Sequence, residues 1–218
     1  MLKIAVLIPA EVGRHGELLA DARALETAGA HALWIDEGAH DPWMLAATLA
    51  TVTSRARIGV TPPPCADAEA FGPRLRTLDE LSRGRAALRG SVATVGVVHA
   101  LRPAVERCQL FGDADRDASD AFGRLVDGLV LSSHAPDEDR GRLERARARA
   151  VAARSPAPLE CWLRIKLPDS HASWRQALAA YEAAGADGLF VPLDPRLLDL
   201  LRRADEEDDR SDLTLAQG

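Results

Sequence analysis

The chain has little cysteine, almost no lysine and no apolar run long enough to cross a membrane. Its three cysteines are far apart and never in a CxxC spacing, which excludes a disulfide framework or a zinc knuckle and favours a reducing, cytoplasmic location. The short apolar run near the first residue is followed at once by Pro9 and Glu11, which predicts a strand rather than a signal peptide.

Several kinds of ligand site are also missing from the sequence. The six histidines are scattered, and Asp36 and Glu37 alternate across a predicted strand, so no metal site is predicted. No GxGxxG follows a predicted strand, and neither a GxxxxGK[ST] loop nor a serine nucleophile elbow occurs. With 27 basic and 33 acidic side chains the formal charge is −6, which argues against nucleic acid or an anionic membrane as the main partner.

Residues 28–60 carry the clearest local pattern in the chain. Gly29 stands where a helix ends, and Ala32–Ile35 is an apolar run of strand length. A polar loop follows with Asp36, Glu37 and His40. Asp41 as N-cap and Pro42 as the first helical residue then predict a helix before the next strand. This order indicates a βαβ unit with polar side chains at the carboxyl end of its first strand.

The remaining elements are predicted from hydrophobic periodicity and turn residues. Further strands are predicted at Lys3–Ile8, 107–111, 129–132, 159–167 and Gly188–Pro192. Further helices are predicted around 18–25, 71–81, 115–125, 137–153 and 174–181, and after Asp194 and Pro195, which repeat the cap chemistry of the second helix. The stretch 85–98 admits two interpretations: one strand broken at Gly90 and Ser91, or two short strands.

An internal repeat indicates the fold class. AGAHALWID at 28–36 and AGADGLFVP at 184–192 share the order of helix end, glycine turn and strand, and VDGLVLS at 126–132 is a weaker copy. Strands and helices alternate about eight times, which predicts a compact α/β chain folded as a (β/α)8 barrel, with a doubly wound open sheet as the alternative. We expect one barrel domain over 1–204 and an acidic, flexible tail over 205–218.

Three blocks of sequence, in order, resemble the bacterial luciferase-like monooxygenase family. They read LETAGAHALWIDE, DPWMLAATLATVTSRARIGV and LRTLDELSRGRAALRG. The resemblance implies a (β/α)8 barrel that uses FMN or a deazaflavin coenzyme to oxidise or reduce a small organic substrate. It also implies a homodimer formed through early helices of the barrel, for which the helix beginning at Trp43 is the first surface to test.

In such a barrel, ligands bind where the carboxyl ends of the strands meet. His40 is the candidate acid or base, because histidine ordinarily titrates near neutral pH, and Glu37 is the candidate group that orients it. The candidate cofactor-binding residues are Thr61, Arg89, Gly90, Ser91, Gly112 and Asp113. The alternatives are a loop histidine for His40, a salt bridge for Glu37 and an ion pair at the barrel rim for Arg89.

Two functions remain open on the sequence. The first is a flavin- or deazaflavin-dependent oxidoreductase. The second is a non-catalytic paralogue that binds a flavin or a partner, because Gly38 and Ala39 stand where the family commonly has histidines after the acid. Neither the substrate nor the choice of cofactor follows from the sequence.

Overall fold

A computed structural model describes residues 2–9, 15–36, 38, 40–62, 68–91, 94–96, 107–114, 125–153 and 159–202. Eight parallel strands form a closed barrel in chain order, each paired with the next and the eighth with the first. The strands are β1 (Lys3–Ile8), β2 (Ala32–Ile35), β3 (Arg57–Val60), β4 (Ala86–Gly90), β5 (Gln109–Asp113), β6 (Gly128–Ser132), β7 (Glu160–Arg164) and β8 (Gly188–Pro192). The predicted (β/α)8 barrel is confirmed.

Six helices lie among the described residues; five connect successive strands and the sixth follows β8. They are α1 (His15–Thr27), α2 (Pro42–Val52), α3 (Ala68–Leu81), α4 (Pro136–Ala153), α5 (His171–Ala183) and α6 (Leu197–Arg202). None of them is long and apolar enough to cross a membrane. The predicted helix over 115–125, apart from its last residue, and the predicted tail over 205–218 lie outside the described residues.

The strands are buried on both faces, and the two faces pack into separate cores. Every second side chain faces the barrel interior, where a small cluster centres on Trp34, Phe111, Trp162 and Phe190. The other face packs against the helices in a much larger aliphatic cluster. Because both faces are apolar, the strands read as continuous hydrophobic runs in the sequence.

Three of the four aromatic rings in the barrel interior lie over glycines. Each of the three belongs to a residue whose register partner on the next strand is a glycine: Trp34 with Gly59, Phe111 with Gly128, and Trp162 with Gly188. A Cβ on any of these glycines would stand between 2.2 and 2.5 Å from the facing ring. The glycines therefore make the room that the large rings need.

The DG pairs of the internal repeat have a common structural role. Asp127 accepts a hydrogen bond from the backbone N–H of Leu110 at 2.9 Å, and Asp187 accepts one from the N–H of Cys161 at 2.7 Å. In both cases the acid ties the start of its own strand to the preceding strand, and the following glycine receives that strand's aromatic ring. These two copies of the repeat therefore form the same local packing arrangement in the barrel.

The predicted helix boundaries at 29 and 41–42 are confirmed. Gly29 has a φ of 98°, a left-handed conformation that favours glycine after a helix. The Asp41 carboxylate accepts from the N–H of Trp43 at 2.9 Å, and Pro42 begins α2. Asp194 repeats this geometry by accepting from the N–H of Arg196 at 2.8 Å, one residue before α6.

Three strand predictions need correction. The strand predicted at 159–167 is shorter, because pairing with both neighbouring strands ends at Arg164. A second strand after Gly90 is wrong for residues 94–96, which form a helical turn. The strand predicted at 107–111 begins at Gln109 and extends through Gly112 to Asp113, because pairing to β4 and β6 depends on the backbone and needs no side chain.

The amino-terminal end of the barrel is held by side chains that bind backbone groups. The Glu26 carboxylate accepts from the N–H groups of Ser54, Arg55 and Ala56 at 2.7 to 2.9 Å. Arg85 donates to the carbonyls that end α2, among them those of Ala50 and Thr53 at 3.2 and 3.0 Å. A cleft of about 240 Å³ opens beside Glu26, but the groups around it serve the turn between α2 and β3.

Candidate active site at the carboxyl mouth of the barrel

Strand alternation decides which side chains enter the mouth of the barrel. Residues two positions beyond the interior cluster point to the same side of each strand, towards the barrel axis. The last inward positions of the eight strands, some of them just past the strand end, are Leu7, Asp36, Thr61, Arg89, Asp113, Ser132, Arg164 and Pro192. The mouth is thus a ring of six polar and two apolar residues.

An aromatic floor closes the barrel beneath this ring. The rings of Trp34, Phe111, Trp162 and Phe190 meet edge to face with centroids 5.3 to 5.9 Å apart. The indole nitrogen of Trp34 donates to the Thr61 hydroxyl at 3.0 Å. The floor excludes water from below and leaves the Thr61 oxygen held at a fixed place in the mouth.

Arg89 is the buried cation of the mouth. Its guanidinium pairs with the Asp36 carboxylate at 2.8 Å, with side-chain exposures of 2% for Arg89 and 31% for Asp36. The guanidinium carbon also lies 5.6 Å from the centre of the Phe190 ring. The ion pair is the alternative foreseen for Arg89, and it brings together residues 53 positions apart in the chain.

Gly90 and Ser91 shape the turn that follows β4. A Cβ on Gly90 would stand 2.8 Å from the Thr94 side chain, so the glycine lets the helical turn at 94–96 pack against the strand end. The Ser91 carbonyl accepts from the N–H of Val95 at 2.9 Å, and its hydroxyl lies 3.3 Å from that of Thr94. Both residues lie at the carboxyl end of the barrel, with Gly90 on the helix-facing side of its strand.

Gly112 and Asp113 end β5 on opposite faces. Gly112 pairs with Gly90 of β4 and faces the helices, whereas Asp113 faces the mouth. The side chain of Asp113 is partly exposed. Of this predicted pair, only Asp113 directs a side chain into the mouth. Gly112 has only its backbone groups to offer a ligand.

Of the two candidate catalytic residues, only His40 lies among the described residues. Glu37 and the residue at 39 lie outside the described residues. His40 is described and exposed, directly before the N-cap residue Asp41. Its role as acid or base stays a prediction.

Arg164 is a mouth residue that sequence reasoning missed. It ends β7, opposite Ser132 of β6 and Phe190 of β8 in the register. Its Nε is buried and has no hydrogen-bond partner among the described residues. The available signal was the alternation from Trp162, since a residue two positions later on an inward-facing strand enters the mouth.

A second polar network lies just outside the ring, after β6. Asp139 is fully buried and accepts from the Ser133 hydroxyl at 2.6 Å and from Arg142 at 2.8 Å. The Ser133 hydroxyl also lies 2.9 Å from the Tyr181 hydroxyl, and Arg142 lies 2.8 Å from Nδ1 of His134. These bonds fasten the loop after β6 to α4 and α5, which accounts for the network structurally.

Within the described ranges, no group of three or more metal-ligating side chains comes together.

Residues 2–90 match the model of the luciferase-like monooxygenase family. The predicted resemblance to this family is confirmed. The luciferase-like segment spans β1 to β4, so it supplies the Asp36–Arg89 pair, Thr61 and Gly90. It also supplies Leu7, whereas Asp113, Ser132, Arg164 and Pro192 come from the remainder of the chain.

Solved structures share the barrel fold at low sequence identity. An F420-dependent secondary alcohol dehydrogenase in complex with an F420-acetone adduct has a TM-score of 0.72 and 11% identity, over 92% of this chain and 96% of that chain. The oxygenating constituent of 3,6-diketocamphane monooxygenase from Pseudomonas putida, a type II Baeyer-Villiger monooxygenase in complex with FMN, has a TM-score of 0.67 and 11% identity, over 94% and 97%. An aldolase, QR15, has a TM-score of 0.60 and 9% identity, over 94% and 93%. At these identities the likeness shows the fold alone, and no curated protein matches the chain.

The mouth residues fit a flavin-type cofactor in chemical terms. Such a cofactor needs an apolar wall for its ring system and hydrogen-bond donors for its polar edge or phosphate. The aromatic floor supplies apolar surface, and the Arg89 guanidinium and the Thr61 hydroxyl supply donors. The donors and the apolar surface thus occur side by side at the carboxyl mouth.

Proposed function

We propose that the protein is a luciferase-like oxidoreductase that binds FMN or a deazaflavin coenzyme at the carboxyl mouth of its barrel and acts on a small organic substrate. The observation that carries the proposal is that the family-matched residues 2–90 contribute the Asp36–Arg89 pair and Thr61 to one mouth, above an aromatic floor. When bound, the cofactor would supply hydride transfer or oxygen activation.

The chain's own residues would bind and orient. Arg89 holds a positive charge at the mouth without water around it, and Asp36 keeps that guanidinium in place. Thr61 accepts the Trp34 N–H, so its own hydroxyl proton is directed elsewhere and can be donated to a polar ring edge. His40, exposed at the rim, would exchange a proton with the substrate.

Titration of the purified protein with FMN and with F420 tests the proposal. We expect one of the two to bind, detected as a change in cofactor absorbance and fluorescence, and Arg89→Met to weaken this binding about tenfold or more. The matched control is Arg149→Gln, an exposed arginine of α4, which should bind as the parent does. If neither cofactor binds, the proposal is wrong.

Measuring turnover distinguishes an oxidoreductase from a non-catalytic paralogue that only binds the cofactor. Cofactor binding together with oxidation or reduction of any member of a panel of small alcohols, ketones and aldehydes supports the oxidoreductase. Binding without turnover of any panel member supports the non-catalytic paralogue instead. In an active protein, unaltered turnover after His40→Ala would remove the role given to His40.

A further inference from the structure

Arg164 carries a donor for which the described residues provide no acceptor. Its Nε is buried, and among the described residues it has no hydrogen-bond partner. The side chain faces the mouth from the end of β7, beside Ser132 and Phe190 in the register. A buried guanidinium N–H without an acceptor is unfavourable, so the position indicates that a ligand atom accepts this bond.

Arg89 differs from Arg164 in that its positive charge has an acidic partner in the mouth. Its guanidinium pairs with the Asp36 carboxylate at 2.8 Å and lies against the Phe190 ring. The charge of Arg89 is therefore balanced within the protein. For Arg164, the described residues provide no salt bridge, although Asp36 and Asp113 belong to the same ring of mouth residues.

The balance of charge in the mouth limits what Arg164 can bind. The charged side chains that end the inward faces of the described strands are Asp36, Asp113, Arg89 and Arg164. Two carboxylates and two guanidinium groups sum to zero, so these four side chains carry no excess positive charge that would favour a free dianion over a monoanion. A single negative charge placed against Arg164 avoids the acids and satisfies the local donor.

We propose that Arg164 binds a carboxylate group of the substrate, which makes the substrate a small organic acid. The proposal rests on the proposed function in placing the substrate at the carboxyl mouth. Nε and the adjacent Nη of an arginine form an edge that donates two parallel hydrogen bonds to the two oxygens of one carboxylate. The aromatic floor beside Arg164 then contacts the apolar remainder of the acid.

Calorimetric titration with matched pairs of small ligands tests the carboxylate site. The probes are benzoate against benzamide and hexanoate against hexanamide, which differ in charge but hardly in shape. We expect the parent protein to bind at least one acid about tenfold more tightly than its amide, the effect of one charge-assisted contact. Arg164→Gln should abolish this preference, and Arg164→Lys, which keeps the charge but loses the two-donor edge, should reduce it.

The controls make the result specific. Arg149→Gln should keep the preference, because Arg149 is exposed on α4. Thermal unfolding followed by circular dichroism shows whether each variant is folded. If Arg164→Gln does not fold, the reduced acid preference expected for Arg164→Lys tests the proposal instead. The proposal is overturned if the parent binds acid and amide equally or neither, if Arg164→Gln keeps the preference, or if inorganic phosphate competes as well as benzoate.

The carboxylate site and the proposed function fail in different experiments. The ligand pairs are titrated without cofactor, whereas FMN and F420 are titrated without organic acid. Acid preference without cofactor binding would retain the Arg164 site and remove the oxidoreductase. Cofactor binding without acid preference would retain the oxidoreductase and remove the carboxylate substrate.

Discussion

The indole of Trp34 lies across Gly59, its register partner on the next strand, so closely that a Cβ on Gly59 would stand 2.2 Å from two indole carbons. Trp34 is 1% exposed and donates its N–H to Thr61, so the ring has no free space into which it can move. The same relationship recurs twice around the barrel, at Gly128 and Gly188. The fit between rings and glycines therefore sets both the barrel core and the floor of the mouth.

Replacing Gly59 by alanine should destabilise the protein by about 1–3 kcal/mol, because the added methyl group overpacks the barrel interior. Urea unfolding followed by tryptophan fluorescence measures the change. The matched control is Gly16→Ala in α1, where nothing lies within 4 Å of the added carbon. That control should change the free energy of unfolding by at most about 1 kcal/mol, in the stabilising direction. Equal effects of the two substitutions would contradict the packing argument.

The fold could be predicted from local pattern, and the reason is visible in β2. Ala32–Ile35 is buried on both faces, so its continuous apolar run between a glycine and an acid is what a covered parallel strand requires. The same double burial hides which residues face the barrel axis. Register is needed to see that Trp34 faces Gly59 while Ile35 faces the helices, and register depends on contacts between distant segments.

Asp36 and Arg89 should be energetically coupled, because the guanidinium is almost fully buried and its carboxylate partner lies at 2.8 Å. Asp36→Asn and Arg89→Met should each destabilise the protein by about 2 kcal/mol, a value reduced for the 31% exposure of Asp36. The double variant should lose at least about 1 kcal/mol less than the sum of the two single changes. Urea unfolding of all four proteins measures the coupling, and strictly additive losses would contradict it.

The candidate site was predictable only in part. Thr61, Arg89 and Asp113 were expected at the carboxyl end of the barrel, and strand alternation directs all three into the mouth. The ion pair between Asp36 and Arg89 joins positions 53 residues apart, which no local pattern reveals. Arg164 was hidden because it ends an apolar strand that the sequence extends to 167, so its place at the strand end was not apparent.

Met44 provides a test of the predicted homodimer. It is 69% exposed on α2, next to the buried residues Trp43 and Leu45. If this face forms the dimer interface, Met44→Asp places a charge in an apolar contact and should shift the protein from dimer to monomer. Analytical ultracentrifugation of the parent and of Met44→Asp measures this shift. Val151→Asp, at a 76% exposed residue of α4, is the control that should leave the association unchanged.

Cys161 should be unreactive in the folded protein. Burial raises the pKa of its thiol to about 11, and the neighbouring Arg147, which favours the thiolate, does not offset this. Because the thiolate is the reactive form, iodoacetamide at about pH 8 should modify Cys161 only after unfolding in urea. The experiment uses a Cys65→Ser background, so that the remaining thiols are the buried Cys108 and Cys161. Modification of Cys161 in the native protein, located by peptide mass spectrometry, would contradict its burial in the barrel.

Glu26 should make stability depend on pH in the acid range. Burial acts to raise the pKa of its carboxyl, but the backbone N–H groups of Ala56, Arg55 and Ser54 outweigh it and hold the pKa below the ordinary value. A carboxyl with a lowered pKa in the folded state stabilises the protein above its unfolded pKa. This stabilisation is lost as the pH falls through the lower folded value.

The free energy of unfolding of Glu26→Gln should therefore be lower than that of the parent at about pH 7, and the difference should shrink towards about pH 3 as the parent carboxyl takes up its proton. Urea unfolding across this range measures the difference. Glu144→Gln, an exposed glutamate of α4, is the matched control and should follow the parent at every pH. A difference between Glu26→Gln and the parent that stays constant with pH would mean that the turn at 54–56 needs an acceptor oxygen but not its negative charge.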